Sequence, residues 1–228
     1  MNHEAGFLRR PIEILYEDQQ FIVFNKPAGL LIIPTPKKEK NTLTNIVNHQ
    51  YARQDQHYKL HPCHRLDRET SGVIVYAKGK QNQKWMMDEF KKKGVTKNYI
   101  ALVYGQVKKG KGELKSYIND LDHRKYQGNT KARFSITQYK VIEQKAQYSI
   151  LDINLITGRT NQIRIQFSSI GHPLVGERKY ALARDYQLKF KRVALHAKLL
   201  SWEDPRSKKR ITVKAPLPED IKKFIQEN

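Results

Sequence analysis

His61-Pro62-Cys63-His64-Arg65-Leu66-Asp67-Arg68-Glu69-Thr70-Ser71-Gly72 runs without a break into Val73-Ile74-Val75-Tyr76-Ala77. The second half is apolar with no alternation, the pattern of a strand covered on both faces. The first half packs His, Arg, Asp, Glu and Thr into the loop that feeds it. A rigid strand behind a polar loop is a good platform for a catalytic side chain. Pattern alone allows a solvated turn equally well.

Upstream, Ile12 to Asp18 and Phe21-Ile22-Val23-Phe24 read as two short strands joined by a turn over Glu17 to Gln20. Asn25-Lys26-Pro27-Ala28-Gly29 is a turn signal, and Leu30 to Ile33 reads as a further extended run. Thr42 to Tyr51 reads as a helix capped by Asn41 or Thr42. Downstream, Lys80 to Lys93 reads as a helix with Trp85, Met86 and Phe90 inward and Gly94 at its end. Tyr99 to Tyr104 is a strand, and Gly110 to Gly128 reads as a basic loop. Phe134 to Val141 and Tyr148 to Ile156 read as a strand pair, with Asp152 and Asn154 on a wetter face. Thr160 to Ile170 reads as a helix with Ile163, Phe167 and Ile170 on one side and Gly171 after it. An amphipathic helix follows Pro218. Strand and helix do not alternate regularly, so the expected class is mixed α+β rather than a doubly wound parallel sheet. Residues 1–10 are expected to be an N-terminal extension and 11–228 a single domain.

The 228 residues include 43 Lys and Arg against 22 Asp and Glu, a net charge of +21. Such an excess implies a polyanionic partner, with nucleic acid ahead of a membrane surface. No stretch is long and apolar enough to span a bilayer. The clusters Lys91-Lys92-Lys93, Lys108-Lys109 with Lys111, Lys189 with Lys191-Arg192, and Lys208-Lys209-Arg210 are the expected partner-facing charge. Cys63 is the single cysteine, which excludes an internal disulfide and a Cys-based zinc site. The first ten residues lack the apolar core of a signal peptide, so the cytoplasm is the expected compartment.

Two more segments stand out. In Thr157-Gly158-Arg159-Thr160-Asn161-Gln162-Ile163-Arg164 a strand ends, a glycine turns the chain, and a helix begins beside two arginines. Such a place attracts an anion. Lys97-Asn98-Tyr99-Ile100-Ala101-Leu102-Val103-Tyr104-Gly105 is a strand bearing tyrosines, read by itself as core or edge aromatics. His61 and His64 lack further ligands for a metal, and no Walker or Rossmann phosphate loop is present.

Taken together, these segments resemble the RluA-type family of RNA pseudouridine synthases. The resemblance rests on His64-Arg65-Leu66-Asp67-x-x-Thr70-Ser71-Gly72, on Gly158-Arg159-Thr160-x-Gln162-Ile163-Arg164, and on Gly171-His172-Pro173-Leu174-Val175-Gly176 with Tyr180. Leu195-His196-Ala197, Tyr16-Glu17-Asp18 and Asn25-Lys26-Pro27-Ala28-Gly29-Leu30 extend it. It departs at Asn161 and Gln166, where the family usually shows histidines, and both positions bear on substrate contact.

The resemblance implies a pseudouridine-synthase fold, a mixed α/β domain on a long, largely antiparallel sheet with its site in a basic cleft. It implies a catalytic domain without the N-terminal RNA-binding domain of many relatives, and neither metal nor organic cofactor. Asp67 would be the catalytic carboxylate, Arg164 its charge partner, and Tyr99 the ring against the uracil. Arg65 would fill the space left by a flipped nucleotide, and Ile163 would touch the base. His64, Arg68, Thr70, Arg159, Thr160 and Gln162 complete the expected RNA-binding set. The partner implied is ribosomal or transfer RNA, bound by a monomer with no obligate protein partner. Two rivals remain. One is a non-catalytic RNA-binding or assembly factor that keeps the fold; the other is a nucleic-acid glycosylase, with Glu69 as the nearby group to activate water.

Overall fold

The computed structural model describes residues 11–52, 58–119, 132–182 and 188–228. The expected N-terminal extension, 1–10, lies outside the described residues. In chain order the elements are β1 (Ile14–Glu17), β2 (Phe21–Lys26), α1 (Leu43–Ala52), β3 (Leu60–Pro62), β4 (Ser71–Lys78), α2 (Lys80–Lys92), β5 (Thr96–Tyr104), β6 (Lys111–Ile118), β7 (Arg133–Gln144), β8 (Tyr148–Leu155), α3 (Gln162–Ser169), β9 (Leu195–Glu203), β10 (Arg210–Lys214) and α4 (Glu219–Glu227). They form two compact units, Met1–Val95 with Ala197–Pro216, and Thr96–His196 with Leu217–Asn228. Each is mixed α and β.

In the first unit β1, β2, β4 and β9 lie side by side, with β10 on β9 and β3 on β4. The pairs β1–β2, β2–β4, β3–β4 and β9–β10 are antiparallel. The β1–β2 turn is set by Asp18, whose Oδ1 accepts the amides of Gln20 and Phe21 at 2.7 and 2.6 Å. This is the side-chain turn mimic that makes Asp a turn residue. All eight residues of β4 are buried, as its unbroken apolar run requires. One core gathers Phe21, Val23, Val73, Val75, Met86, Leu200, Trp202 and Val213. Trp202 meets Tyr16 and Phe21 edge-on, at centroid distances of 6.0 and 6.1 Å. Each such ring pair adds about 0.5–1.5 kcal/mol to area burial.

The second unit is the antiparallel ladder β5–β8–β7–β6 with α3 and α4. Its core joins Ile100, Leu102, Tyr148, Ile150, Val175, Ile221 and Phe224. Phe167 of α3 is fully buried and meets the Tyr139 ring at 5.5 Å. Asp152 and Asn154 are half-buried, in line with their polar alternation in β8.

Several sequence expectations are corrected. Leu30 to Ile33 is not a strand: Leu31 makes one isolated bridge with Thr42. Instead the Leu31 and Ile32 carbonyls accept the amides of Leu43 and Thr44 at the start of α1, which the helix itself cannot satisfy. The basic stretch from Gly110 contains β6, hidden because its exposed face is Lys111, Glu113, Lys115 and Tyr117; its residues 120–128 lie outside the described ones. The residue that ends α2 in the left-handed region is Lys93, at φ 63°, rather than Gly94. Ile170 is 43% exposed and does not join Ile163 and Phe167 inside. Arg192 is no surface cation: it is buried, and its Nε and Nη2 hold Asp220 of α4 at 2.6 and 3.0 Å. Among the described residues no helix is long and apolar enough to cross a membrane.

Candidate active site

The loop between β3 and β4 carries Asp67, and a buried lysine organises it. Lys26 ends β2 with no exposed surface, and its Nζ donates to the carbonyls of Pro27, Arg68 and Thr70 at 3.0, 3.1 and 2.8 Å. The Gly29 amide also donates to the Arg68 carbonyl, at 2.8 Å, and Arg68 Nε donates to the Gly29 carbonyl at 3.1 Å. The Thr70 amide donates to the Asp67 carbonyl at 3.1 Å, so the carboxylate rides on a closed turn. On the β3 side the Cys63 amide donates to Val75, and His64 Nε2 accepts the Val75 amide at 3.2 Å. The His64 ring lies 4.9 Å from that of Phe90. Behind the loop, Gly72 takes φ +110°, and a Cβ there would stand 2.2 Å from the Ala197 carbonyl. That close approach of β4 to β9 needs glycine.

Within this loop the expected residues divide by exposure. Arg65 and Arg68 are exposed, Asp67 and His64 are half-buried, and Thr70 is buried. The Cys63 thiol is buried, which pushes its pKa up to about 12 and leaves it a poor nucleophile. Replacing Lys26 with Met removes one cation and takes its hydrogen bonds from the Pro27 and Thr70 carbonyls, while the Arg68 carbonyl keeps the Gly29 amide. The expected loss is about 2–4 kcal/mol, measured as a lowered urea midpoint.

The second unit carries Tyr99, Arg159, Thr160, Gln162, Ile163 and Arg164. Tyr99 and Ile163 are buried, at 7% and 4% exposure. Tyr99 sits opposite Ile153 on β5. Gln162 shapes the turn before α3. Its Oε1 accepts the Thr157 hydroxyl and the Arg159 amide at 2.8 and 3.0 Å; its Nε2 donates to the Ile136 carbonyl and Thr137 Oγ1 at 3.1 and 2.9 Å. All its polar capacity goes into the protein, so Gln162 builds the Arg159–Arg164 turn.

Arg164 is held from three sides. Its Nε and Nη2 donate to the two Glu177 carboxylate oxygens at 2.6 and 2.9 Å, and Nη1 donates to Asn161 Oδ1 at 2.9 Å. Its guanidinium carbon lies 5.4 Å from the Tyr180 ring centre. Asn161 takes the left-handed conformation, φ 54°, and its amide reaches the Tyr180 hydroxyl at 3.1 Å. Glu177 is fully buried. Burial alone would raise its pKa, but the Arg164 guanidinium and the Lys179 and Tyr180 amides outweigh that and hold the carboxyl below its ordinary value.

Two roles escaped the sequence reading. Glu177 follows the Gly171–Gly176 motif directly, and no spacing rule marks it as the partner of an arginine 13 residues earlier. Gln166, expected to bear on substrate, is buried inside its own unit. It accepts the Thr137 hydroxyl at 2.6 Å and donates to Ser116 Oγ at 2.9 Å, tying α3 to β6 and β7.

A family model described as RNA pseudouridylate synthase matches residues 20–169. The Bacillus subtilis (strain 168) protein named uncharacterized RNA pseudouridine synthase YhcT is 32% identical over 219 residues, covering 94% of this chain and 72% of the relative. The Xylella fastidiosa ribosomal large subunit pseudouridine synthase D is 32% identical over 228 residues, covering 92% of this chain and 67% of the relative. Among solved structures, human RNA pseudouridylate synthase domain containing 4 superposes with a TM-score of 0.78 at 24% identity, over 97% of this chain and 94% of that one. Human domain containing 1 gives 0.75, also at 24% identity, over 97% and 96%. The two structures establish the fold, and the sequence matches establish more: this chain belongs to the RNA pseudouridylate synthase family and is an RNA pseudouridine synthase, an isomerase acting on RNA.

Proposed function

We propose that this chain isomerises specific uridines of ribosomal or transfer RNA, with Asp67 as the carboxylate that opens the glycosidic bond. The observation that supports this most is the Asp67 turn, pinned through Lys26 and lying inside the residues that match the family. A relative named for the ribosomal large subunit favours ribosomal RNA.

In this reaction the bond from ribose C1′ to uracil N1 breaks, the base turns over, and C5 bonds to C1′. The C5 proton leaves and N1 gains one, so composition is unchanged. Asp67 acts on the ribose, where a carboxylate suits an electron-poor sugar. The family resemblance assigns Arg164 as the charge partner of that carboxylate, the role a cation plays in keeping a carboxyl ionised. Tyr99 lies against the uracil and relays the proton from C5. The stacked uridine must first leave its helix or loop, and exposed Arg65 takes the vacated space. The enzyme works as a monomer in the cytoplasm.

The test is to map pseudouridines across all RNA in cells with and without the gene, then to rebuild each lost site with purified protein and transcript. Sites that vanish and return identify the substrate; identical maps refute the proposal. Release of free uracil in the purified reaction would indicate hydrolysis instead. Affinity for the substrate should also fall steeply as salt rises from low to physiological concentration, since phosphate contacts release counterions. A flat response in filter binding would count against phosphate-driven docking.

A further inference from the structure

Lys97 and Arg159 form a cationic pair that the fold leaves incomplete. Lys97 stands on β5 two residues before Tyr99, so both side chains leave the same face of the strand. Arg159 lies in the turn that leads from β8 to α3. Its amide is fixed by Gln162 Oε1 at 3.0 Å, so the residue has a set position. Its Nε is buried and has no hydrogen-bond partner. Gly158 lets the two meet: a Cβ there would stand 3.3 Å from Lys97 Nζ, tighter than ordinary contact.

Among the described residues no carboxylate pairs with either group. Burial, and then the Arg159 charge, lower the Lys97 pKa to about 8. Two like charges, partly withdrawn from water and held on rigid backbone, weaken the empty protein. An ammonium and a guanidinium converging on one spot suit a tetrahedral oxyanion.

We propose that Lys97 and Arg159 together receive one phosphate group of the RNA backbone, on the Tyr99 face of β5. The site rests on the reading that RNA docks at this face. Its purpose is to fix the sugar-phosphate chain near the tyrosine, so that the nucleotide is placed by its own backbone. A phosphate there supplies the missing acceptor for Arg159 Nε and offsets the repulsion between the two cations. Binding therefore draws a proton onto whatever fraction of Lys97 is neutral, and affinity declines as pH rises above about 8.

The test compares the full-length wild-type protein with Lys97→Met and Lys97→Arg, using a fluorescent single-stranded oligouridylate as probe. Lys97→Met should bind about tenfold more weakly, with a salt slope shallower by roughly one counterion. Lys97→Arg should restore the slope and remove the decline at high pH. In phosphate-free buffer at neutral pH, Lys97→Met should melt higher than wild type, because a buried unpaired cation is gone. A merely structural lysine would give the reverse. An unchanged slope in Lys97→Met, or no rescue by Lys97→Arg with both variants folded, overturns the site while leaving the RNA reading intact. A wild-type protein that ignores the oligouridylate brings down that reading and this site with it.

Discussion

Asn in place of Asp67 should leave an enzyme that binds its RNA and forms no detectable pseudouridine. On the proposed reading the carboxylate supplies the electron pair that acts on the ribose, and an amide of the same shape cannot. The expected fall in kcat is roughly four orders of magnitude or more, the scale on which losing a covalent or basic catalytic group acts. The structure argues that the fold would survive the change. Asp67 is half-buried, and the turn beneath it is held by backbone groups and Lys26. The Asp67 carbonyl, which accepts the Thr70 amide, is the same in either residue. Single-turnover kinetics with filter binding on the same preparation would separate chemistry from affinity. Turnover within a few-fold of wild type would remove Asp67 from the mechanism.

The second large effect is expected at Glu177, which no RNA can touch. It is fully buried, and both its oxygens hold Arg164. Changing it to Gln leaves a mostly buried guanidinium with no carboxylate from this residue. Breaking such a pair from one side costs about 3–5 kcal/mol. It also loosens the aim of Arg164, which keeps Asn161 and the Tyr180 ring among its neighbours. Misplacement by about 1 Å is worth roughly a hundredfold in rate. The Glu177→Gln enzyme should therefore show a lowered urea midpoint and a kcat down by about that factor, with RNA affinity nearly unchanged. A variant that loses affinity and keeps kcat would make Arg164 a phosphate contact.

The pH dependence of stability follows from the same pair. Glu177 has a lowered pKa in the folded protein, so its contribution is fully present above the unfolded glutamate value of about 4.5. That contribution is lost as pH falls from there through the folded value. Wild type should lose stability in that window more steeply than Glu177→Gln, which has no carboxylate to protonate. Parallel acid unfolding curves for the two proteins would contradict the assignment.

What could be read from the chain followed local chemistry. β4 announced itself because a strand buried on both faces needs an unbroken apolar run, here Val73 to Ala77. Asp18 and Thr42 were legible because side-chain oxygens that accept neighbouring amides act over two or three residues. The site segments were legible as clusters of reactive residues, and the resemblance supplied their roles. Partnerships across long separations were not legible. Lys26 meets Arg68 and Thr70 more than 40 residues on, and only the folded backbone creates that meeting. β6 was missed because its outward face is charged, while β9 and β10 went unread although Leu199, Leu200 and Trp202 and the β-branched Ile211-Thr212-Val213 carry strand character. Gln166 was expected to bear on substrate contact because it stands where the family usually shows a histidine, and a polar residue on a short helix gives no sign that it faces its own sheet.

The chain's route through the two units also bears on how it is made. The core that holds Phe21, Val23 and Val75 is closed by Leu200, Trp202 and Val213. A ribosome that has released only the first third of the polypeptide has thus exported half of a hydrophobic interior without its lid. That half must wait, exposed and prone to stick to other nascent chains, until Leu200 to Val213 have been translated. Chaperone dependence during synthesis, and failure of early-truncated fragments to stay in solution, are the expected cellular cost of building one unit from two segments separated by the whole of Thr96–His196.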